Sequence, residues 1–317
     1  MNFLRRWLTG QAPDAVPGVD EELEREIDEL WREAGQGMIK LGWFSRAMLH
    51  PGEHFSRTNA PDVDPDGPRK YEEGDDESRL MQHVLANTGE RVLLQTVPET
   101  TVEFDILNDN NRTLNWGERK SKLYQGGIAT ATVALCAAKM GDILGYWAYA
   151  NDSIVKQIRP SQPRHIIRRI LRSSLRPPSS TGRMESGLDR AIKCVFARES
   201  QVIIISDCLN LTDEQKKLMK QLARKRRLKV LVIQDPRERS LPDENGPLEV
   251  FDLRSRRTVT WLLGDQTRAQ YQADFLAHEA SLNDFFNSSP VIPFATLITG
   301  ESDANIRKIK RLLTRTR

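Results

Sequence analysis

The spacing of apolar residues changes several times along the chain, and each change predicts an element of secondary structure. Two segments, Gln201–Ser206 and Leu228–Gln234, are short and nearly continuous apolar runs rich in β-branched residues. Such runs are typical of strands that are covered on both faces, as in a parallel sheet. The segment between them, Thr212–Arg226, repeats apolar residues at helical spacing behind a threonine suited to cap a helix. This region is therefore predicted to fold as strand, helix, strand.

The same two patterns alternate over most of the chain. The other predicted strands are Val92–Val97, Thr101–Leu107, Asp142–Tyr149, Ser153–Ile158, Leu248–Leu253, Thr258–Leu263 and Val291–Ile298. The other predicted helices are Asp20–Ala34, Tyr124–Met140, Arg164–Leu175, Ser186–Arg198, Thr267–Phe286 and Ala304–Thr314. The first helix is expected to break near Gly35 and Gly37, because glycine is a poor helix former. Strands that alternate with helices predict an α/β fold: a doubly wound, mostly parallel sheet flanked by helices, with an N-terminal helical and loop extension.

Composition narrows the class of function only slightly. The 47 lysine and arginine residues are nearly matched by 44 acidic residues, which does not favour nucleic acid as a partner. The three cysteines are scattered along the chain, which predicts neither a disulfide framework nor a zinc site and favours a cytoplasmic location. No apolar run reaches the roughly 18 residues that would predict a membrane span.

Oxygen-bearing side chains follow the predicted strands at the edge where open α/β sheets bind their ligands. Asp109, Asn111 and Thr113 occupy alternate positions after one strand. Asp207 directly follows another strand, and Ser186 begins the helix before it. Two carboxylates and three neutral oxygen groups would suit Mg²⁺ or Mn²⁺ with some water retained. The alternative is that Asp and Asn form ordinary turns here and that Ser186 only caps its helix.

Residues 69–83, RKYEEGDDESRLMQH, resemble the signature of a bacterial family, the domain-of-unknown-function family 58. That signature has the form R-x-Y-x-x-G-D-x-x-x-R, and the residues that match it are Arg69, Tyr71, Gly74, Asp75 and Arg79. The family usually continues to a tryptophan where this chain has His83. At the level of pattern, the resemblance extends over about residues 60–315.

The resemblance implies a von Willebrand factor A-like domain with a metal-ion-dependent adhesion site of the form D-x-S-x-S, then Thr, then Asp. On this implication Asp109 matches the first Asp, while Asn111 and Thr113 replace the two Ser residues. Ser186 stands in place of the Thr, and Asp207 matches the last Asp. Each substituted residue keeps an oxygen donor, so the implied site is a degenerate site for Mg²⁺ or Mn²⁺.

The resemblance also suggests how the chain is divided. The predicted parts are an N-terminal helical extension and linker (1–59), the signature segment packing on the core (60–98), the von Willebrand factor A-like domain (99–264), and a C-terminal helix-strand-helix that completes it (265–317). Within the signature, Arg69, Tyr71, Asp75 and Arg79 are expected to form an Arg–carboxylate cluster that pins the segment to the domain. A docking surface for a partner is the alternative for that cluster.

The leading hypothesis for function is a non-enzymatic protein-interaction module. The family resemblance implies a partnership with MoxR-type AAA+ ATPases, in which such proteins are thought to assist assembly or maturation of client complexes. A bound divalent ion would leave one position open for an acidic side chain of the partner. The sequence has no G-x-S-x-G, Walker or Rossmann motif, and no nucleophile with an assignable base.

Two rival functions and several weaker signals remain open from sequence. The rivals are a metal-dependent phosphoesterase, which would need a nearby group to activate water, and a metal-free structural scaffold. Asp105 offers another register for the metal site, although its place within a strand would need a special reason. The basic stretches Arg164–Arg176 and Arg224–Lys229 could attract phosphate, but are interpreted as solvated helix faces because they lack interleaved aromatic residues.

Overall fold

The computed structural model describes residues 19–40, 68–71, 80–94, 102–111, 114, 121–150, 153–175, 187–209, 211–225, 228–252, 257–288 and 292–314. The helices among them are α1 Val19–Lys40, α2 Gln82–Thr88, α3 Lys122–Met140, α4 Pro163–Leu175, α5 Gly187–Val195, α6 Asp213–Lys225, α7 Asp265–Asn287 and α8 Ser302–Thr314. The strands are β1 Pro68–Lys70, β2 Val92–Leu94, β3 Glu103–Asp109, β4 Ile143–Ala150, β5 Ser153–Ser161, β6 Gln201–Ser206, β7 Leu228–Gln234, β8 Gly246–Asp252, β9 Arg257–Leu263 and β10 Phe294–Ile298. A 3-10 helix, Pro236–Arg239, follows β7.

Six strands form the central sheet in the order β10, β7, β6, β3, β4, β5. Neighbouring strands are parallel except for β4 and β5, which pair antiparallel as a hairpin. From β3 the chain first builds β4 and β5 on one side, and then returns to build β6, β7 and β10 on the other. The winding therefore reverses between β3 and β6. The predicted α/β class, with a doubly wound and mostly parallel sheet, is confirmed.

Helices cover both faces of this sheet, which explains why its inner strands are apolar on both sides. On one face the core includes Ile192 of α5, Met219 of α6 and Phe285 of α7. On the other face it includes Val133 of α3 and Ile309 of α8. Among the described residues, no helix is both long enough and apolar enough to cross a membrane.

The first helix forms a further layer outside α3 and runs without interruption to Lys40. The predicted break at Gly35 and Gly37 is therefore wrong. Gly37 serves close packing instead, because a Cβ atom there would lie only 2.2 Å from Cδ1 of Ile306 in α8. The sequence pattern could not distinguish a helix-breaking glycine from one packed closely against a neighbouring helix.

The outer surface of α1 binds the basic helix α4 through ion pairs. Arg168 donates from Nη1 to Oε2 of Glu24 at 2.8 Å and from Nη2 to Oδ1 of Asp28 at 2.9 Å, while Arg172 also binds Glu24. Exposed pairs of this kind contribute little stability individually. They do show that part of the basic stretch predicted to be a solvated face lies against acidic residues of the same chain.

Two small antiparallel sheets lie outside the central sheet, one formed by β1 and β2 and one by the hairpin β8–β9. In the first, Tyr71 N donates to Arg91 O at 2.9 Å, and the Arg91 guanidinium lies 5.5 Å from the centre of the Tyr71 ring. The sequence did not predict this contact. Gly74, Asp75 and Arg79 lie outside the described residues, so the Arg–carboxylate cluster stays a prediction.

Two element boundaries differ from the sequence prediction in ways that matter for the site. The strand expected to end at Leu107 continues to Asp109, because Asn108 and Asp109 still pair with β4. The helix expected to begin at Tyr124 begins at Lys122. Its cap is Ser121, whose side chain accepts a hydrogen bond from Tyr124 N at 3.3 Å.

Candidate functional site

The candidate site lies at the carboxyl edge of the sheet, where the winding reverses. Asp109 is the last residue of β3, and Asp207 follows the last residue of the neighbouring parallel strand β6. Their side chains therefore meet at the edge where open α/β sheets bind ligands. Asn111 lies beside them. Thr113 and Ser186 lie outside the described residues, although α5 begins at the position directly after Ser186.

The Asp109 carboxylate is buried and accepts two hydrogen bonds. Its Oδ2 accepts from Ser206 Oγ at 2.6 Å, and its Oδ1 accepts from the backbone N of Asn111 at 2.8 Å. Burial, reinforced by the negative charge of Asp207, raises the pKa of Asp109 to about 7, although both hydrogen bonds and the Lys122 ammonium favour the ionised form. Asp109 can therefore change its charge close to neutral pH.

The Asp207 carboxylate is bound by a buried lysine. Lys122 Nζ donates to Asp207 Oδ2 at 2.9 Å and to Glu238 Oε1 at 2.6 Å, and the lysine side chain is 0% exposed. The other oxygen of Asp207, Oδ1, accepts from Leu209 N at 3.2 Å. Burial alone would lower the pKa of Lys122, but the charges of Asp207 and Glu238 outweigh it and raise that pKa above its ordinary value. The lysine is therefore held charged.

Sequence reasoning missed both Lys122 and Glu238. A usable signal existed for Lys122, since it stands in the first turn of an apolar helix, where the helix dipole disfavours a positive charge. A lysine retained there indicates carboxylates nearby. Glu238 had no comparable signal, because its position depends on the 3-10 helix in which Asp235 and Glu238 cap each other.

Local strain and unsatisfied polar atoms mark the same edge. Cys208, directly after Asp207, has a φ of 56°, which an L-residue with a side chain rarely adopts. The side-chain oxygens Asn111 Oδ1 and Tyr149 Oη are two of eight buried side-chain atoms that have no hydrogen-bond partner within the described part of the chain. Buried unsatisfied groups are uncommon in native proteins and, like backbone strain, concentrate at functional sites.

Part of the polar density after β3 is structural. Asn108 Nδ2 donates to Asn110 Oδ1 at 2.7 Å, and Asn110 Nδ2 donates to Ser173 O in α4 at 2.8 Å. These two buried side chains point away from the carboxylates and attach the strand end to the neighbouring helix. In the run Asn108–Asn111, Asn108 and Asn110 therefore attach the end of β3 to α4, while Asp109 and Asn111 belong to the candidate site.

A second anchor fixes the start of α5 against the end of β4. A Cβ atom on Gly187 would lie 1.9 Å from Ala150 O and 2.7 Å from Ser153 O, and both are backbone atoms. Any larger residue would force the backbone apart. This close approach places the first turn of α5 at the carboxyl edge of the sheet.

Asp105 does not belong to the site, so the alternative register is wrong. Its Oδ1 accepts from Trp147 Nε1 at 2.9 Å, while its Oδ2 accepts from Arg198 Nε at 2.9 Å and Ser200 Oγ at 2.6 Å. These three hydrogen-bond donors offset the cost of burying the Asp105 carboxylate within a strand. Gly145 leaves the necessary space, since a Cβ atom there would lie 2.2 Å from Asp105 Oδ1.

The described residues do not fit a divalent cation in this arrangement. Each of the four carboxylate oxygens of Asp109 and Asp207 already accepts a hydrogen bond, one of them from the Lys122 ammonium. A divalent ion beside that ammonium would meet strong like-charge repulsion in a buried environment. Among the described residues, no group of three or more His, Cys, Asp or Glu side chains could hold a metal ion. Asn111 Oδ1 and Tyr149 Oη are the buried oxygens of this edge without a hydrogen-bond partner among the described residues.

Comparisons with known proteins identify the family. An uncharacterized protein of Mycobacterium tuberculosis is 24% identical over 239 residues, which span 74% of this chain and 74% of that protein. The solved structure of the conserved hypothetical protein BatB from Bacteroides thetaiotaomicron shares 16% identity over 68% of this chain and 100% of its own, with a TM-score of 0.43. A von Willebrand factor type A structure from Catenulispora acidiphila shares 8% identity over 68% of this chain and 42% of its own, with a TM-score of 0.37. The model of the family described as protein of unknown function DUF58 matches residues 67–281, and the chain therefore belongs to DUF58, as its signature predicted.

Proposed function

We propose that this protein is a non-enzymatic interaction module that docks a partner protein at the carboxyl edge of its sheet. The observation that carries the proposal is the group formed by Asp109, Asn111 and Asp207. Its residues are fixed by two strand ends, it includes an unsatisfied buried oxygen, and it adjoins strained backbone at Cys208. Asn111 as a whole is half-buried, so its accessible part can contact a partner at this edge of the sheet.

The chemistry of the site favours binding over catalysis. Burial raises the pKa of the Cys208 thiol, assisted by the charges of Asp207 and Asp109, so the thiol stays protonated and is a poor nucleophile. Lys122 is bound to two carboxylates through its ammonium, which leaves it no free lone pair to act as a base. Asp109 could exchange a proton near neutral pH, but a hydrolytic role would also require an activated water or a nucleophile beside it.

We propose a MoxR-type AAA+ ATPase as the partner, acting together with this protein on an unidentified client complex. The DUF58 membership supports this choice. An exposed apolar surface on the hairpin β8–β9 supports protein contacts more generally, since Val259 is 46% exposed, Trp261 38% and Leu262 75%. A cytoplasmic location is part of the proposal, because the exposed thiol of Cys194 would stay reduced there.

Docking in this proposal does not depend on Mg²⁺ or Mn²⁺. The cation-bridged mode stays a prediction from sequence, and it would require Lys122 to release Asp207. Hydrogen bonds at the strand ends, together with contacts around them, can bind a partner without a bridging ion.

The proposal is tested by binding of the purified protein to a purified MoxR-type ATPase from the same organism, measured by biolayer interferometry. Asn111→Arg places a bulky charge in the site, and we expect it to reduce affinity at least about tenfold. The matched control is Glu199→Arg, since Glu199 is exposed at the opposite edge of the sheet, next to the start of β6. Equal binding by both variants, or no binding by the wild-type protein, would contradict docking at this site.

A further inference from the structure

Lys122 has an unusual position for a lysine. It is the first residue of α3, directly after the capping serine, and its side chain is fully buried. Burying a charge carries a large desolvation penalty unless the charge is paired and hydrogen-bonded. Lys122 meets that condition through Asp207 at 2.9 Å and Glu238 at 2.6 Å. The fold therefore places the positive charge of Lys122 inside the candidate site.

The Lys122 ammonium binds Asp207, one of the two carboxylates that were predicted from sequence to ligate a divalent cation. Asp207 Oδ2 faces Lys122 Nζ, while Asp207 Oδ1 accepts from the backbone of Leu209. The same ammonium is close enough to Asp109 to stabilise its ionised form. One positive charge thus acts on the two carboxylates that follow β3 and β6.

Glu238 fixes the ammonium in place from a third element. It lies in the 3-10 helix after β7, where its Oε2 accepts from Asp235 N at 3.2 Å while its Oε1 accepts from Lys122. The hydroxyl of Tyr271 in α7 donates to the backbone oxygen of Glu238 at 2.9 Å. Because its acceptor is held at both ends, Lys122 is part of the rigid frame of the site.

We propose that the Lys122 ammonium is the resident cation of the site, held by Asp207 and Glu238 in place of a divalent ion at Asp207. The inference concerns the site of the proposed function and adds that this site is complete without metal. It follows that the wild-type protein has no need for Mg²⁺ or Mn²⁺ there. Removal of the ammonium should convert the two carboxylates and Asn111 Oδ1 into a site that takes one.

The test is titration of the isolated full-length protein with Mn²⁺, followed by electron paramagnetic resonance of the free ion, and with Mg²⁺ by calorimetry. The isolated protein is used because an AAA+ partner brings Mg²⁺ with its nucleotide. We expect no saturable binding to the wild-type protein. Lys122→Met should bind Mn²⁺ saturably, at least about tenfold more tightly than any residual binding by the wild-type protein. The double variant Lys122→Met/Asp207→Asn should lose that gain.

Lys217→Met is the matched control, since Lys217 is exposed on α6, and it should behave as the wild-type protein. Saturable Mn²⁺ binding by the wild-type protein that Asp207→Asn abolishes would overturn the proposal. A folded Lys122→Met variant without Mn²⁺ binding would also overturn it. If Lys122→Met does not fold, the thermal midpoint of the wild-type protein decides: no shift between EDTA and millimolar Mg²⁺ supports the proposal, and a rise with Mg²⁺ refutes it. These results are independent of whether an ATPase binds.

Discussion

Asp105 and Asp109 lie four residues apart on β3 and point to the same face of the sheet, but their surroundings differ. Asp105 accepts hydrogen bonds from three side chains, including a charged arginine. Asp109 accepts from one hydroxyl and one backbone N–H, and it lies beside a second carboxylate. One strand therefore carries a carboxylate held by three side-chain donors and, at its end, a carboxylate held by a single side-chain donor and one backbone N–H.

The neighbouring strand β4 repeats this contrast. Trp147 and Tyr149 are two residues apart and both buried. The Trp147 indole N–H donates to Asp105, whereas the Tyr149 hydroxyl has no hydrogen-bond partner within the described residues. The buried indole N–H nearer the amino end of β4 is therefore satisfied, whereas the buried hydroxyl nearer its carboxyl end is not. Four predictions test these two contrasts.

The largest effect is expected from Asp105→Ala. It would leave the Trp147 N–H, the Ser200 hydroxyl and part of the Arg198 guanidinium without their acceptor, and we expect a loss of about 3–4 kcal/mol in the free energy of unfolding. Urea denaturation at pH 7 followed by circular dichroism measures it. Asp109→Ala is the comparison and should lose much less. Equal losses would show that the two carboxylates have the same role.

Asp109→Asn should show a dependence on pH. The pKa of Asp109 is raised from 3.8 to about 7, so between these values the folded protein binds a proton that the unfolded chain does not. The wild-type protein therefore loses stability as the pH rises towards 7, whereas an asparagine cannot ionise. The stability of Asp109→Asn relative to wild type should improve by roughly 2–3 kcal/mol between pH 5 and pH 8. Urea denaturation at both pH values checks this, and a constant difference would refute it.

Trp147→Phe removes the indole N–H that donates to Asp105 and leaves some space in the core. We expect a loss of about 2 kcal/mol in the free energy of unfolding, because a hydrogen bond to a buried charged group is lost. Thermal and urea denaturation both report it. A loss that disappears in an Asp105→Asn background would assign the effect to this hydrogen bond, and a loss that is unchanged there would assign it to packing.

The smallest effect is expected from Tyr149→Phe. Removing a buried hydroxyl that has no partner should leave the free energy of unfolding unchanged or raise it by less than about 1 kcal/mol. The same denaturation experiment provides the value. A clear loss of stability would mean that the hydroxyl has a partner, such as the neighbouring Ser206 hydroxyl or a group outside the described residues, and the contrast with Trp147 would then fail.

The fold was predictable because its signals are local. Continuous apolar runs such as Gln201–Ser206 and helical spacing as in Thr212–Arg226 do not depend on distant contacts, and the α/β class follows from their alternation. The failures came from long-range packing. Gly37 could not be assigned to close contact with α8 without knowing that α8 lies there, and β1 is a three-residue strand with no periodic signal.

The site was predictable in part for the same reason. Asp109 and Asp207 follow recognisable strands, and the rule that ligands bind at the carboxyl edge selects them together. Lys122 and Glu238 join them only through tertiary structure, from the start of α3 and from a 3-10 helix inside a predicted loop. The charge balance of the site, which decides whether a metal is needed, could therefore not be read from spacing alone.

The packing of α1 on α3 has a practical consequence for fragments of this protein. Leu30 of α1 fits into a notch above Gly127, where a Cβ atom would lie 2.5 Å from the leucine Cδ1, and Ile27 is buried beside it. The family match begins at residue 67, beyond this helix. A recombinant fragment that begins at that boundary would lack α1. It would expose the apolar surface of α3 that α1 covers, and it would tend to aggregate.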